Sequence, residues 1–252
     1  MLNQPTLERL RSLKLTGMAN AFEEQLKKPI PDLDFESRLS IMVEQEFLLR
    51  ENRKLKRLLN QAKLQQNACI EDLNYSPSRG LIKSKMVELS RNSWLQQHLN
   101  ILITGATGCG KTYIACALAH RACLNGKTSK YYRLPRLWEE LKVAKANGTY
   151  TQWLMQLAKI ELLILDDWGL VTPDPERRQD LLEILDDRYQ KRSTIVCSQL
   201  PVASWHDHLH DATFADAILD RLIHNAIRID LKGPTMRKQQ EIITESIDMT
   251  AN

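Results

Sequence analysis

Eight residues, Gly105-Ala106-Thr107-Gly108-Cys109-Gly110-Lys111-Thr112, fill every position of the pattern G-x-x-x-x-G-K-[ST] and follow directly on the apolar run Ile101-Leu102-Ile103. A strand, a glycine loop and a helix are the only arrangement in which that pattern acts. The glycines let the backbone wrap a polyphosphate with its N–H groups pointing inward, through dihedral angles that a Cβ would block. Lys111 then places a compact charge on the β and γ oxygens, Thr112 offers a hydroxyl to Mg²⁺, and Tyr113 to Arg121 begin a helix whose positive end faces the anion. A nucleoside triphosphate such as ATP is the ligand class implied.

A second element is placed where a parallel-sheet nucleotide fold needs it. Leu162-Leu163-Ile164-Leu165 is a short apolar run of the buried-strand type that ends in Asp166-Asp167, followed by Trp168-Gly169. In phosphate-loop enzymes the first carboxylate of such a pair holds the metal shell. The second orients and deprotonates the attacking water. Asp166 is therefore the expected metal ligand beside Thr112, and Asp167 the expected general base.

The 252 residues suffice for one α/β domain and a smaller accessory unit, with 43% hydrophobic and 26% charged residues. No apolar run is long enough to span a bilayer, and Met1-Leu2-Asn3-Gln4-Pro5 lacks a signal layout, so a cytoplasmic protein is expected. Five cysteines without a C-x-x-C pair suggest neither a disulfide framework nor zinc, and Cys116 and Cys123 are expected to pack as small apolar residues. Charge is uneven: residues 1–100 carry 16 Lys and Arg against 12 Asp and Glu, the remainder 19 against 19. The excess is densest at Arg50-Glu51-Asn52-Arg53-Lys54-Leu55-Lys56-Arg57, in a helical pattern that includes Ile41, Leu48, Leu55 and Leu59. Arg50, Arg53, Lys54, Lys56 and Arg57 read first as a solvated helix face and, more sharply, as a phosphate-backbone contact surface for nucleic acid.

Along the chain, Thr6 to Leu26 reads as one or two short helices broken near Thr16-Gly17, and Glu36 to about Gln66 as one long helix. Ser76-Pro77-Ser78-Arg79-Gly80 is turn chemistry, which sets an expected boundary between a helical domain at 1–75 and an ATPase domain at 76–252. Beyond it strands at 101–104, 128–133, 161–166 and 193–198 alternate with helices at 111–124, 135–147, 151–158 and 175–190, which predicts a three-layer α/β fold with a parallel sheet. Trp138 and Trp153 have helical spacing among apolar neighbours and are expected in the core. Three histidines recur every second residue in Trp205-His206-Asp207-His208-Leu209-His210, but the segment resembles a loop or helix start more than a metal-binding strand.

Taken together, the chain resembles the AAA+ ATPases, and more closely the IstB-like transposition helper ATPases, relatives of the DnaC-type helicase loaders. The likeness runs through Leu15-Thr16-Gly17-Met18, Arg79-Gly80-Leu81, Ile101 to Thr112, Arg133-Leu134-Pro135-Arg136-Leu137, Leu163 to Gly169, Ser198-Gln199-Leu200-Pro201, Ala215 to Leu222 and Met236-Arg237-Lys238. The resemblance implies a bacterial, Mg²⁺-dependent ATPase that assembles into homo-oligomers, binds DNA with little regard to sequence, and serves a cognate transposase. It also implies that Arg221 is an arginine finger reaching a neighbour's γ-phosphate, and that Gln199 is a polar sensor of that phosphate or the attacking water. Arg237 falls on a second sensor position, but the sequence leaves no room for the family's C-terminal helical lid. Asp167 stands where most relatives carry Glu; one methylene less implies slow turnover. Cys109 and Gly233-Pro234-Thr235 are further departures. A helicase loader would keep the same core and use residues 1–75 to grip a helicase. A small-molecule kinase would need a basic lid, for which there is no candidate.

Overall fold

The computed structural model describes residues 3–28, 33–233, 235 and 236. The chain divides into two compact units, residues 1–57 and 58–252.

The first unit is helical. Helix α1 is Asn3–Ser12, α2 is Thr16–Lys27, and α3, Phe35–Ala62, begins here and runs on into the second unit. The break between α1 and α2 is the one expected near Thr16-Gly17. Gly17 has a packing reason: a Cβ built on it lies 2.6 Å from the Gln45 carbonyl oxygen and from the Glu46 Cα, both backbone atoms of α3. Only a residue without a side chain lets the two helices approach so closely. Glu46 completes the joint by accepting from the Gly17 N–H at 2.6 Å and the Met18 N–H at 3.3 Å, so its carboxylate satisfies open donors in the first turn of α2. Arg50 holds the other carboxylate oxygen at 2.6 Å. Burial pushes Glu46 upward, yet the Arg50 contact and the two N–H bonds outweigh it and hold the carboxyl below its usual range. Ile41 and Leu48, part of the apolar pattern of α3, remain exposed.

In the second unit a 3₁₀ turn at Pro77–Arg79 ends in left-handed Gly80, in the segment read as turn chemistry. The remaining elements are α4 (Lys83–Ser90), α5 (Ser93–Gln96), β1 (Asn100–Gly105), α6 (Lys111–Leu124), β2 (Ser129–Arg133), α7 (Leu134–Ala146), α8 (Tyr150–Lys159), β3 (Leu162–Trp168), α9 (Pro175–Arg188), β4 (Ser193–Ser198), α10 (Trp205–Leu209), α11 (Ala212–Ile223) and β5 (Ala226–Leu231). Asp174 and Asp211 start α9 and α11 by accepting from the N–H groups of Arg177 and Phe214. The five strands form one parallel sheet in the order β2-β3-β4-β1-β5.

Alternation along the central strands sorts the core into two halves. Ile101, Ile103, Leu162, Ile164, Ile195 and Cys197 face α4, α5 and α6, whereas Leu102, Leu163, Leu165 and Val196 face α7, α8, α9, α10 and α11. Both faces are covered, so these strands read as continuous apolar runs. Cys116 and Cys123 are buried within α6, and Trp138 in the opposite layer. Trp153 is only partly buried. Ala68, Ile70 and Leu73 join the same core as α6, which is why the division of the chain falls after Arg57, ahead of the turn at 76–80. The histidine triplet becomes a single helical turn, α10, with Trp205 and Leu209 buried.

Candidate nucleotide-binding site

Strand β1 ends at Gly105, and three positive φ values, 146° at Gly105, 80° at Gly108 and 94° at Gly110, turn the chain into α6. At all three of these positions a Cβ would also come within 3.0 Å of a neighbouring atom. A Cβ on Gly105 would stand 2.5 Å from the Leu231 carbonyl oxygen, and one on Gly110 2.7 Å from Arg79 Nη2. That same Nη2 donates to the Cys109 carbonyl at 2.8 Å, so Arg79 braces the loop from outside. The Met236 N–H donates to the Gly108 carbonyl at 2.8 Å. Arg237 lies outside the described residues.

Lys111 opens α6 and folds back over the loop, donating from Nζ to the carbonyls of Gly105 at 2.8 Å and Ala106 at 2.9 Å. Its ammonium is nearly buried without a carboxylate partner among the described residues, which suits an anion as the missing counter-charge. Thr112 donates to Asp166 Oδ2 at 2.6 Å, so the two expected metal ligands already touch. Between them and the loop lies a cleft of about 220 Å³ lined by Thr107, Lys111, Thr112, Asp166, Asp167 and Gln199, among others. Tyr113 and Cys109 do not line it; Cys109 is buried, and Tyr113 packs against the core beneath α6.

The carboxylate pair owes its geometry to an irregularity. Leu165 pairs with Val196 and Trp168 with Ser198, so β3 spends three steps where β4 spends two. The extra residue is a β-bulge, and Asp167 within it has a φ of 62°. Strict alternation would send successive side chains to opposite faces; the bulge re-aims Asp167 so that both carboxylates line the cleft. The Asp167 N–H donates to Asp166 Oδ1 at 2.8 Å.

Sequence reasoning missed two residues here, both on β2. The Tyr131 hydroxyl donates to Asp166 Oδ2 at 2.8 Å, and burial followed by the charge of Asp166 pushes the phenol well above its ordinary range. Arg133 Nε contacts Asp167 Oδ2 at 2.5 Å. Their spacing of two on a strand that pairs with β3 was the available signal, since it sends both side chains to one face.

Gln199, one residue past β4, accepts from the Thr107 hydroxyl at 2.7 Å and so borders the loop. The sheet order explains this, because β4 lies between β1 and β3. Arg221 is not brought to the cleft. It sits on α11, pairs with Asp186 at 2.6 Å, and donates to the Ala217 carbonyl at 2.7 Å. Of the basic run on α3, Arg50 is committed to Glu46 and Lys54 lies 3.8 Å from Glu51, whereas Arg53, Lys56 and Arg57 are exposed and have no ion-pair partner among the described residues. Among those residues no helix is long and apolar enough to cross a membrane.

The chain is similar in sequence and in fold to known proteins. An insertion-sequence protein of Sinorhizobium fredii, described as ATP-binding, is 45% identical over 241 residues, 95% of this chain and 98% of its own length. In structure the chain is similar to DnaI, with a TM-score of 0.56 at 24% identity over 67% of this chain and 90% of that one. It is also similar to AMPPCP-bound DnaA from Aquifex aeolicus, with a TM-score of 0.58 at 18% identity over 74% and 56%. These two likenesses establish the P-loop AAA+ fold. The model of the IstB-like ATP binding protein family matches residues 8–244, from α1 past the last strand, and the chain belongs to that family.

Proposed function

We propose that this protein is the ATP-dependent, DNA-binding helper of an insertion-sequence transposase, working as a homo-oligomer in which hydrolysis resets the complex. One observation carries the reading: a complete loop and carboxylate constellation, with Thr112 and Asp166 already joined, in a chain that matches an insertion-sequence relative nearly end to end. The donor set fits Mg²⁺, since a hydroxyl and a carboxylate are hard oxygen ligands. Thr112 and Asp166 would hold the ion, which when bound neutralises charge on the β- and γ-phosphates. Lys111 binds the anion by exchanging its two carbonyl contacts for phosphate oxygens. Asp167 takes the proton of the attacking water once free of Arg133, and Gln199, poised by Thr107, orients that water or the γ-phosphate. Arg221 leaves Asp186 to complete a neighbour's site. In this reading residues 1–75 serve DNA contact and assembly, and residues 76–252 nucleotide chemistry.

The test is fluorescence anisotropy of duplex DNA with the full chain, with and without ATP and Mg²⁺. ATP should raise DNA affinity, Lys111→Ala should abolish that effect, and Asp167→Asn should hold DNA longer than the parent. ATP binding with no DNA retention at any salt concentration would sink the reading and turn attention to helicase loading.

A further inference from the structure

A second cleft, of about 480 Å³, opens at the other end of the chemistry, along the edge strand β2. Lys130 and Tyr132 share one face of that strand, opposite to Tyr131 and Arg133. Tyr132 and Trp153 form the aromatic wall, with ring centroids 6.0 Å apart and planes inclined at 48°. Lys130 Nζ lies 5.4 Å from the Tyr132 ring centroid and spends one donor on the Gln61 carbonyl at 3.2 Å. Lys63 lines the same cleft from the end of α3, and neither lysine has a carboxylate within ion-pair distance among the described residues. Burial, and then the neighbouring Lys63 charge, lower the Lys130 ammonium. Glu140 is close enough to raise it again in part but does not line the cleft. Asn60, Gln61 and Gln156 complete the rim with amides, and no acidic side chain joins them.

We propose that this cleft binds an unpaired nucleotide of a nucleic-acid strand, its base against Trp153 and Tyr132 and its phosphate between Lys63 and Lys130. Each component answers one part of that ligand. Aromatic faces stack any base, two lysines without an ion-pair partner among the described residues attract a phosphate, and amides pair with base edges as donor and acceptor alike. An acidic peptide would use the lysines alone. The site is separate from the nucleotide cleft and does not depend on its assignment.

Trp153 supplies the readout. Trp94, Trp138, Trp168 and Trp205 are all at most 6% exposed, so Trp153 is the tryptophan a ligand can stack on. Without ATP, and with Arg53→Ala and Arg57→Ala in place to remove the other basic surface, oligothymidylate should quench the tryptophan emission and polyglutamate should not. Trp153→Phe should remove the quench. Lys63→Ala should lower affinity several-fold at low salt and reduce the salt slope by about 0.7, one single-strand phosphate. Gln156→Glu, an exposed substitution that folding tolerates, should weaken binding by like-charge repulsion. A quench of parent size in Trp153→Phe, equal quenching by polyglutamate, or parent affinity and slope in both Lys63→Ala and Gln156→Glu would each overturn the proposal. Retained ATP binding through the P-loop confirms that every variant is folded.

Discussion

Arg133 Nε lies 2.5 Å from Asp167 Oδ2, so the carboxylate expected to take a proton from water is engaged by a guanidinium from the neighbouring strand. Arg133 thus competes with the attacking water for that carboxylate oxygen. Arg133 is more than half exposed, and pairs of that kind are worth about 0.2–1 kcal/mol, so Arg133→Ala should raise basal ATP turnover by up to about fivefold. Phosphate release at saturating ATP measures it; unchanged or lower turnover would show that Arg133 helps the reaction instead.

Tyr131→Phe removes one of the donors that fix Asp166 and leaves no orphan behind, because Thr112 still donates to the same carboxylate oxygen. A hydrogen bond to a charged group is worth about 1.5–3 kcal/mol, so the Mg²⁺ concentration needed for tight nucleotide binding should rise about tenfold or more. Nucleotide affinity in EDTA should not move. An equal loss with and without Mg²⁺ would mean that Tyr131 merely supports the fold.

The joint of the first unit should fail independently of the nucleotide site. Gly17→Ala puts a methyl group against backbone that cannot yield, which costs about 1–3 kcal/mol, and it should lower the thermal midpoint of the helical unit while ATP binding persists. Glu46 sets an acid limit. Its folded pKa is lowered, so its stabilisation is complete above the unfolded value and is lost as the pH falls through the folded one. Glu46→Gln should therefore be less stable near neutrality and less sensitive to acid, as followed by helical circular dichroism.

Arg221→Ala should fold and bind ATP yet lose hydrolysis and ATP-dependent assembly, since Arg221 does not line its own chain's cleft. Mixing it with Lys111→Ala protein should restore part of the activity by pairing an intact loop with an intact finger. Mixtures that assemble by light scattering but stay inactive at every ratio would place Arg221 outside the reaction.

Arg53→Ala with Arg57→Ala tests the basic run where the side chains are free. If both contact duplex phosphates, the salt slope of DNA binding should flatten by about 1.8 per engaged subunit, with ATP affinity unchanged. A parent slope would leave the run as a solvated helix face.

The phosphate loop, the paired carboxylates and nearly every element of the sheet were legible in the sequence, because each rests on local chemistry: glycines where φ is positive, apolar runs where both faces are covered, Asp and Pro where α9 begins. Leu15-Thr16-Gly17-Met18 was legible as a motif, but its reason was not, since Gly17 answers to backbone 28 and 29 residues away. What the tertiary structure alone decided follows from strand order and register. Placing β4 between β1 and β3 puts Gln199 beside Thr107, and pairing β2 with β3 hands Tyr131 to Asp166 and Arg133 to Asp167. The bulge that turns Asp167 into the cleft is a mismatch between two strands, and the aromatic cleft at the β2 edge joins residues from α3, β2 and α8. Periodicity records which way one element faces; which neighbour it meets is settled only when the whole sheet buries its apolar faces together.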